Sequence, residues 1–389
     1  MSLCPLVSGD NCAINAVKKI QVSKEESAMA PMTRRDWISG GVTWIGSAAI
    51  SGGYPIMISE PISAGEDAVL KERCEQSSLR ACDSVLELIG NTSLLELHKI
   101  VPESHARIFL KLESENPTGS MKDRMALAMI EEAEKDGRLQ AGGRVVEYTG
   151  GSTGVSLAMI CSLKNYPLDI VTSDAFSIEK QNHMAALGAN LTVIKSDHGG
   201  MDEALTRNMI KAAREIQEQN GGYWTDQLNN TDALTRYRDL GEEIWQQTEG
   251  EVDAFVQGVG TGGSLRGVAE RLGEHKPDVR IIAVEPRESA VLSGEKQASH
   301  RIEGIGAGFV VPMWKPDIVD EIAKVSTDEA LRMTRKLAKE EGVFAGTSTG
   351  ANLVAAINVA KQLGPEKTVV TLLVDSGMKY LSTELYRNE

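Results

Sequence analysis

Residues 107–124 read RIFLKLESENPTGSMKDR, and the order of features in them decides how the chain is understood. Apolar Ile108, Phe109, Leu110 and Leu112 predict a strand, Asn116-Pro117-Thr118-Gly119-Ser120 predicts a turn, and Lys122 then falls at the start of a helix. A helix N-terminus carries partial positive charge, so a cation in its first turn sits against the field. That placement suits chemistry that needs a neutral amine, because a lysine with a depressed pKa is a Schiff-base nucleophile. The same spacing also fits an ordinary solvated surface lysine.

Outward from this stretch, RMALAMIEEAEKDGRL predicts an amphipathic helix closed by Gly137, with Met125, Leu127, Ala128 and Ile130 in the core. Arg144 to Tyr148 reads as a short buried strand. Thr149-Gly150-Gly151-Ser152-Thr153-Gly154 then turns into a helix, whose first N–H groups form an anion site suited to a carboxylate. Next come a strand at LDIVTSD (168–174), a helix from near Ser177 and a strand in ALGANLTVIKS (186–196). VDAFVQ leads into Gly258-Val259-Gly260-Thr261-Gly262-Gly263-Ser264, a helix, and the strand VRIIAVE. There Gly258, Gly260 and Gly263 satisfy GxGxxG, and Glu285 follows about twenty residues on, as in a dinucleotide site. The apolar run Val369 to Val374 predicts a buried parallel strand. Strands interleaved with helices predict an α/β protein with a doubly wound, mostly parallel sheet.

NPTGSMKDR, with LIGNTSLLEL upstream and three glycine-rich loops downstream in fixed order, resembles the cysteine synthase and cystathionine β-synthase family of fold type II pyridoxal-phosphate enzymes. The resemblance runs from about Ser78 to the C-terminus. It implies two subdomains of the tryptophan synthase β type within a catalytic domain at 78–389, the smaller being mobile with its core at about 168–212. It makes Lys122 the residue that forms the internal aldimine with pyridoxal 5'-phosphate. Gly260, Thr261, Gly262, Gly263 and Ser264 would hold the phosphate, since GVGTGGSLRGV is similar to the family's phosphate loop. Thr149, Gly150, Gly151 and Thr153 would grip the substrate carboxylate, and Ser152 stands where the family's asparagine bonds the cofactor's phenolic oxygen. Against the family's TSGNTG, Gly150 replaces serine and Ser152 replaces asparagine; if these two departures tune substrate choice and are not neutral, restoring both is expected to improve activity with O-acetylserine. Gln227 would face the substrate beside Leu228, which replaces an aromatic. Gly306 belongs to a segment like IxGIGAGFVP near the substrate, and Gly346 to Ala351 resembles GxSSGA in the same cavity. Ser376, in Asp375-Ser376-Gly377, matches the residue that hydrogen-bonds the pyridine nitrogen.

A neutral serine at that nitrogen weakens the ring as an electron sink and favours β-elimination chemistry over transamination. The resemblance therefore implies β-replacement on a β-substituted amino acid such as O-acetylserine, through an aminoacrylate that sulfide or a thiol converts to cysteine or a cysteine-type product. A cysteine desulfhydrase-like elimination releasing sulfide, pyruvate and ammonia is the alternative. A nicotinamide-dependent oxidoreductase, resting on the glycine fingerprint and Glu285, and a non-catalytic binding protein on the same fold are more distant ones.

The 389 residues carry a formal net charge of -14, which argues against nucleic acid or anionic membrane as a partner. A small amino acid with sulfide or thiol is the expected partner, in a homodimer as is usual for the family. The 5 cysteines, Cys4, Cys12, Cys74, Cys82 and Cys161, show no metal-ligand spacing, so no metal is expected. Residues 1–77 match nothing in the family pattern. Within them Trp37 to Ser59 lacks charge but is diluted by glycine, and Thr33-Arg34-Arg35-Asp36-Trp37-Ile38 resembles a twin-arginine signal, with Met32 a candidate start. A cytoplasmic enzyme with a disordered extension and an exported or tethered one using 32–59 both fit this segment.

Overall fold

A computed structural model describes residues 81–197, 199 and 202–387. The 1–77 extension, with its twin-arginine-like segment, lies outside the described residues. No helix among the described residues is long and apolar enough to cross a membrane.

Two mostly parallel sheets organise the described chain. The larger has six strands in the order β1 (Leu94–Leu97), β2 (Arg107–Leu112), β10 (Thr368–Leu373), β7 (Ala254–Gly258), β8 (Arg280–Pro286), β9 (Glu321–Val325). Only β1 runs antiparallel, pairing with β2. β10 and β7 are buried at every residue. Their apolar sequences follow from burial on both faces of the sheet. The smaller sheet has the order β5 (Asn190–Ile194), β4 (Leu168–Ser173), β3 (Val145–Tyr148), β6 (Tyr223–Trp224), all parallel.

The smaller unit is wider than the predicted core at 168–212. That span holds β4, helix α3 (Ile178–Ala186), β5 and the start of helix α4 (Glu203–Asn220), whereas β3 and β6 lie outside it. β4 needs β3 to satisfy its inner edge, so the sheet takes in chain from both sides of the predicted segment.

Helix α1 (Lys122–Asp136) ends at Gly137, whose φ of 84° is the left-handed cap expected of glycine. Its first nine residues, Lys122 to Ile130, are all buried. The expected amphipathicity appears only in the glutamate-rich last half, because the first half is enclosed on every side. Cys161, buried in helix α2 (Ser152–Lys164), has its thiol pushed up to about 12 by burial and is chemically quiet.

Candidate active site

The turn after β2 is stitched to the exit of β10. Met121 N–H donates to Val374 O at 2.9 Å, Ser376 N–H donates to Gly119 O at 2.9 Å, and Ser120 bridges Asp375. This places Lys122, the first residue of α1, over the carboxyl ends of the central strands, where open α/β sheets bind ligands. Lys122 is 8% exposed, which overturns the surface-lysine reading. Its amine is brought down to about 8, mainly by burial, with Asp375 opposing and Lys180 reinforcing the shift. Its backbone N–H donates to Ser120 Oγ at 3.3 Å, while its Nζ makes no hydrogen bond or ion pair among the described residues.

A buried ion network fixes the start of α1. Arg124 Nε and Nη2 donate to Glu113 at 2.7 and 2.9 Å, and Nη1 and Nη2 donate to Glu243 at 2.7 and 2.8 Å. Lys111 Nζ, fully buried, lies 2.7 Å from Glu243 and donates to Thr92 O at 2.6 Å. Two carboxylates thus balance two cations, the condition under which buried charge is tolerated. Gly90 N–H donates to Asn116 Oδ1 at 2.8 Å, so the segment around Leu88 to Thr92 braces the lysine turn and does not line the cavity.

Lys122 opens into a cavity of about 110 Å3. Thr149, Gly150, Gly151, Ser152 and Thr153 form one wall, leading from β3 into α2. The first N–H groups of α2 have no acceptor inside the helix, the condition a backbone anion site requires. Gln227 lines the cavity with its side chain locked: Oε1 accepts from Thr153 Oγ1 at 2.8 Å and Nε2 donates to Tyr148 O at 2.6 Å. Leu228 lies beside it. Ser152 Oγ donates to Asp375 Oδ2 at 3.0 Å, which Tyr380 OH also reaches at 2.8 Å. At Gly150 an added Cβ would stand 2.9 Å from Phe176 Cε1, so the aromatic ring occupies the room that the family's serine needs.

Opposite, Gly260 and Thr261 line the cavity. Gly262 caps helix α6 (Gly263–His275) with a φ of 88°, and Gly263 and Ser264 form its first turn just behind the cavity wall. A Cβ on Gly260 would stand 2.3 Å from Gly304 O, so only glycine allows these two loops to meet. Glu285, required by the dinucleotide reading, is committed elsewhere. Its carboxylate accepts from Leu292 N–H at 2.8 Å, Ser293 N–H at 3.1 Å and Ser293 Oγ at 2.6 Å. It caps a turn, is buried, and does not line the cavity at Lys122.

Two predicted residues lie elsewhere. Gly306 donates its N–H to Val259 O at 3.0 Å, and a Cβ there would meet Pro286 Cγ at 2.6 Å, so it packs beneath its loop while Gly304, Ile305 and Ala307 line the cavity. Ser376 caps the short turn Gly377–Tyr380, accepting from Met378 N–H at 3.3 Å, and is not among the cavity-lining residues. Ser348, at the start of helix α8 (Thr347–Leu363), does line the cavity, and its buried hydroxyl has no partner among the described residues. The signal for it was in the sequence, in the glycine-flanked turn Gly346 to Ala351. Lys180, Asp375 and Tyr380 also line the cavity. Lys180 falls in an unremarkable helical run that nothing in the sequence distinguishes. A further buried lysine, Lys379, has its amine brought down to about 8 by burial but does not line the cavity.

These features fit pyridoxal phosphate. A buried, unpartnered amine with a lowered pKa faces an orphaned Ser348 hydroxyl and an orphaned Asp375 Oδ1, and a glycine-capped helix start lies across the cavity as a phosphate seat.

A family model described as "Pyridoxal-phosphate dependent enzyme" matches residues 85–375. A cysteine synthase of Staphylococcus aureus (strain Mu50) is 43% identical over 307 residues, covering 78% of this chain and 97% of the relative. The crystal structure of a cysteine synthase from Entamoeba histolytica superposes with a TM-score of 0.74 at 36% identity, covering 86% of this chain and 96% of that one. A hydrogen sulfide-producing enzyme from Fusobacterium nucleatum superposes at 0.73 with 35% identity, covering 77% and 100%.

Proposed function

The chain belongs to the pyridoxal-phosphate-dependent enzymes, and from that premise we propose that it performs β-replacement on a β-substituted L-amino acid such as O-acetylserine, with sulfide or a thiol, to give cysteine or a cysteine-type product. The observation that carries the reading is the buried amine of Lys122, held at the meeting point of the strand ends and brought down to about 8. Such an amine is available both as covalent anchor and, once displaced by substrate, as general base at the α-carbon.

When bound, the cofactor supplies an electron sink that acidifies the α-C–H bond and lets a β-substituent leave. The chain's residues do the rest. The N–H groups at the start of α2 hold the α-carboxylate, and Thr149 Oγ1, already accepting from Gly151 N–H at 3.0 Å, keeps its own hydroxyl proton to donate. Lys122 Nζ receives the α-proton. Asp375, buried beside it, favours the charged ammonium and so helps keep that proton on Lys122 until it is returned. Gly260 to Ser264 would hold the phosphate, and Ser348 would meet the ring nitrogen with a neutral hydroxyl. Leu228, Met209 and Ile305 line the cavity with apolar surface and limit water around the reacting carbon.

Sulfide-releasing elimination is the second reading, favoured by the structural likeness to the sulfide-producing enzyme. It uses the same residues and differs in whether sulfide adds or leaves. We expect a homodimer and no nucleic-acid partner.

The test is a visible spectrum of the purified protein before and after borohydride, with peptide mapping of the reduced adduct. Cysteine formation from O-acetyl-L-serine and sulfide is then compared with sulfide release from cysteine. An adduct on Lys122, not on Lys180 or Lys379, with faster cysteine formation supports the proposal. Absence of a borohydride-sensitive band would overturn it.

A further inference from the structure

Gly151 carries a φ of 129°, and the space its Cβ would take is filled by the stem of Lys180, with Cδ at 2.4 Å, Cβ at 2.9 Å and Cγ at 3.1 Å. Lys180 is the third residue of α3, in the smaller-sheet unit. Its ammonium lies 2.6 Å from Glu303 Oε2 and 4.1 Å from the centroid of the Tyr380 ring. The two paired side chains are 3% and 17% exposed. Glu303 belongs to the loop between β8 and β9 of the larger sheet. Its N–H donates to Thr347 Oγ1 at 3.1 Å, and its neighbours Gly304 and Ile305 line the cavity. Beside Lys180, Glu179 accepts from the N–H and hydroxyl of Ser382. Two consecutive residues of α3 therefore fasten the smaller unit to the larger one at the cavity rim.

We propose that Lys180 and Glu303 are a positioning pair that ties the substrate-carboxylate loop at 149–154 to the opposite loop at 301–309 and thereby sets affinity for the amino acid. The inference rests on the carboxylate role proposed above for the 149–153 N–H groups. Lys180 lines the cavity, and its charge invites the alternative that it binds the carboxylate directly. Its charge is already neutralised by Glu303, however. Turning it to a ligand would leave a mostly buried carboxylate without its partner, which is strongly unfavourable. The backbone amides hold the substrate, and Lys180 holds the backbone through its stem.

The two roles predict opposite signs. In the holoenzyme Glu303→Gln, a direct ligand would be released and the KM for O-acetyl-L-serine would fall, whereas a broken tie raises it by about tenfold with kcat within about threefold. Lys180→Met is expected to raise KM similarly, and Lys180→Arg, which keeps the charge pair, to retain most of the affinity. Hydrogen exchange supplies a readout free of turnover. Amides at 149–154 and 301–309 are expected to exchange about tenfold faster in both Lys180→Met and Glu303→Gln. A lower KM in Glu303→Gln, or unchanged exchange in both variants, overturns the inference. Should the native enzyme fail to use O-acetyl-L-serine, the functional proposal falls while the exchange rates still decide the pair.

Discussion

Gly150→Ser tests the packing of the substrate loop most directly, because the perturbation is steric and nothing else. Gly150 does not have a left-handed backbone, so an L side chain is conformationally acceptable there. The obstacle is Phe176, whose Cε1, Cζ and Cδ1 would stand 2.9, 3.2 and 3.4 Å from the new Cβ. Carbon atoms rest at about 3.5–4.0 Å, so the nearest contact must open by roughly 0.6 Å or more before the hydroxyl is accommodated. Phe176 is 5% exposed and has no solvent to swing into. Overpacking of this kind costs about 1–3 kcal/mol. At about 2–4 °C per kcal/mol for a large domain, the expected fall in Tm is roughly 2–12 °C, with a higher KM for O-acetylserine as the loop is displaced. Restoring the full family pair, Gly150→Ser with Ser152→Asn, is thus expected to lower activity, the opposite of what resemblance alone suggests, since Ser152 also loses its bond to Asp375. Phe176→Ala should partly rescue Gly150→Ser, giving a coupling energy above about 1 kcal/mol in a double-mutant cycle. Thermal unfolding of the four proteins measures it. An unchanged Tm in Gly150→Ser, or strict additivity within about 0.5 kcal/mol, would refute the steric argument.

Lys122→Ala is expected to abolish the borohydride-sensitive band and turnover while Tm stays close to native, checked by absorbance and calorimetry. The rate of cofactor uptake by stripped protein should rise with pH up to about 8 and then level, because only the neutral amine attacks and burial has brought Lys122 down to about 8; stopped-flow absorbance reports it. Ser348→Ala should weaken cofactor binding or shift its visible maximum, whereas Ser376→Ala should remove only a turn cap and leave the spectrum unchanged. Glu243 has its carboxyl lowered to about 2, the pull of Arg124 and Lys111 outweighing the rise from burial. A depressed carboxylate contributes stability above its unfolded value near 4.5 and loses it as pH falls through about 2, worth about 3 kcal/mol at most. Glu243→Gln should cost a similar amount at neutral pH and flatten that acid limb, as urea titrations at several pH values would show.

What the sequence disclosed about this protein follows from how local each feature is. The alternation of strands and helices, the apolar run of β10, the glycine stop of α1 and the lysine turn are written in contiguous residues, so periodicity and turn chemistry suffice to find them. Contiguous motifs also mark the 149–153 loop, Gly260 and Thr261, all of which line the cavity. The differences fall inside single motifs. Gly306 and Ser376 sit one or two positions from residues that do line the cavity, and a single backbone step in a loop reverses which side chain faces inward. Glu285 failed as a ribose ligand for a similar reason, because the turn after β8 folds its amides back onto the carboxylate. Lys180 was beyond reach altogether. Its importance comes from Gly151, Glu303 and Tyr380, three segments that only the finished fold brings to one ammonium and its stem, and no pattern along α3 marks it. The departure at Gly150 and the glycine at 151 acquire meaning from the same source: Phe176 and Lys180, from the entry and first turn of α3, fill the space that a side chain at either position would take, so the loop and α3 constrain each other as one packed unit.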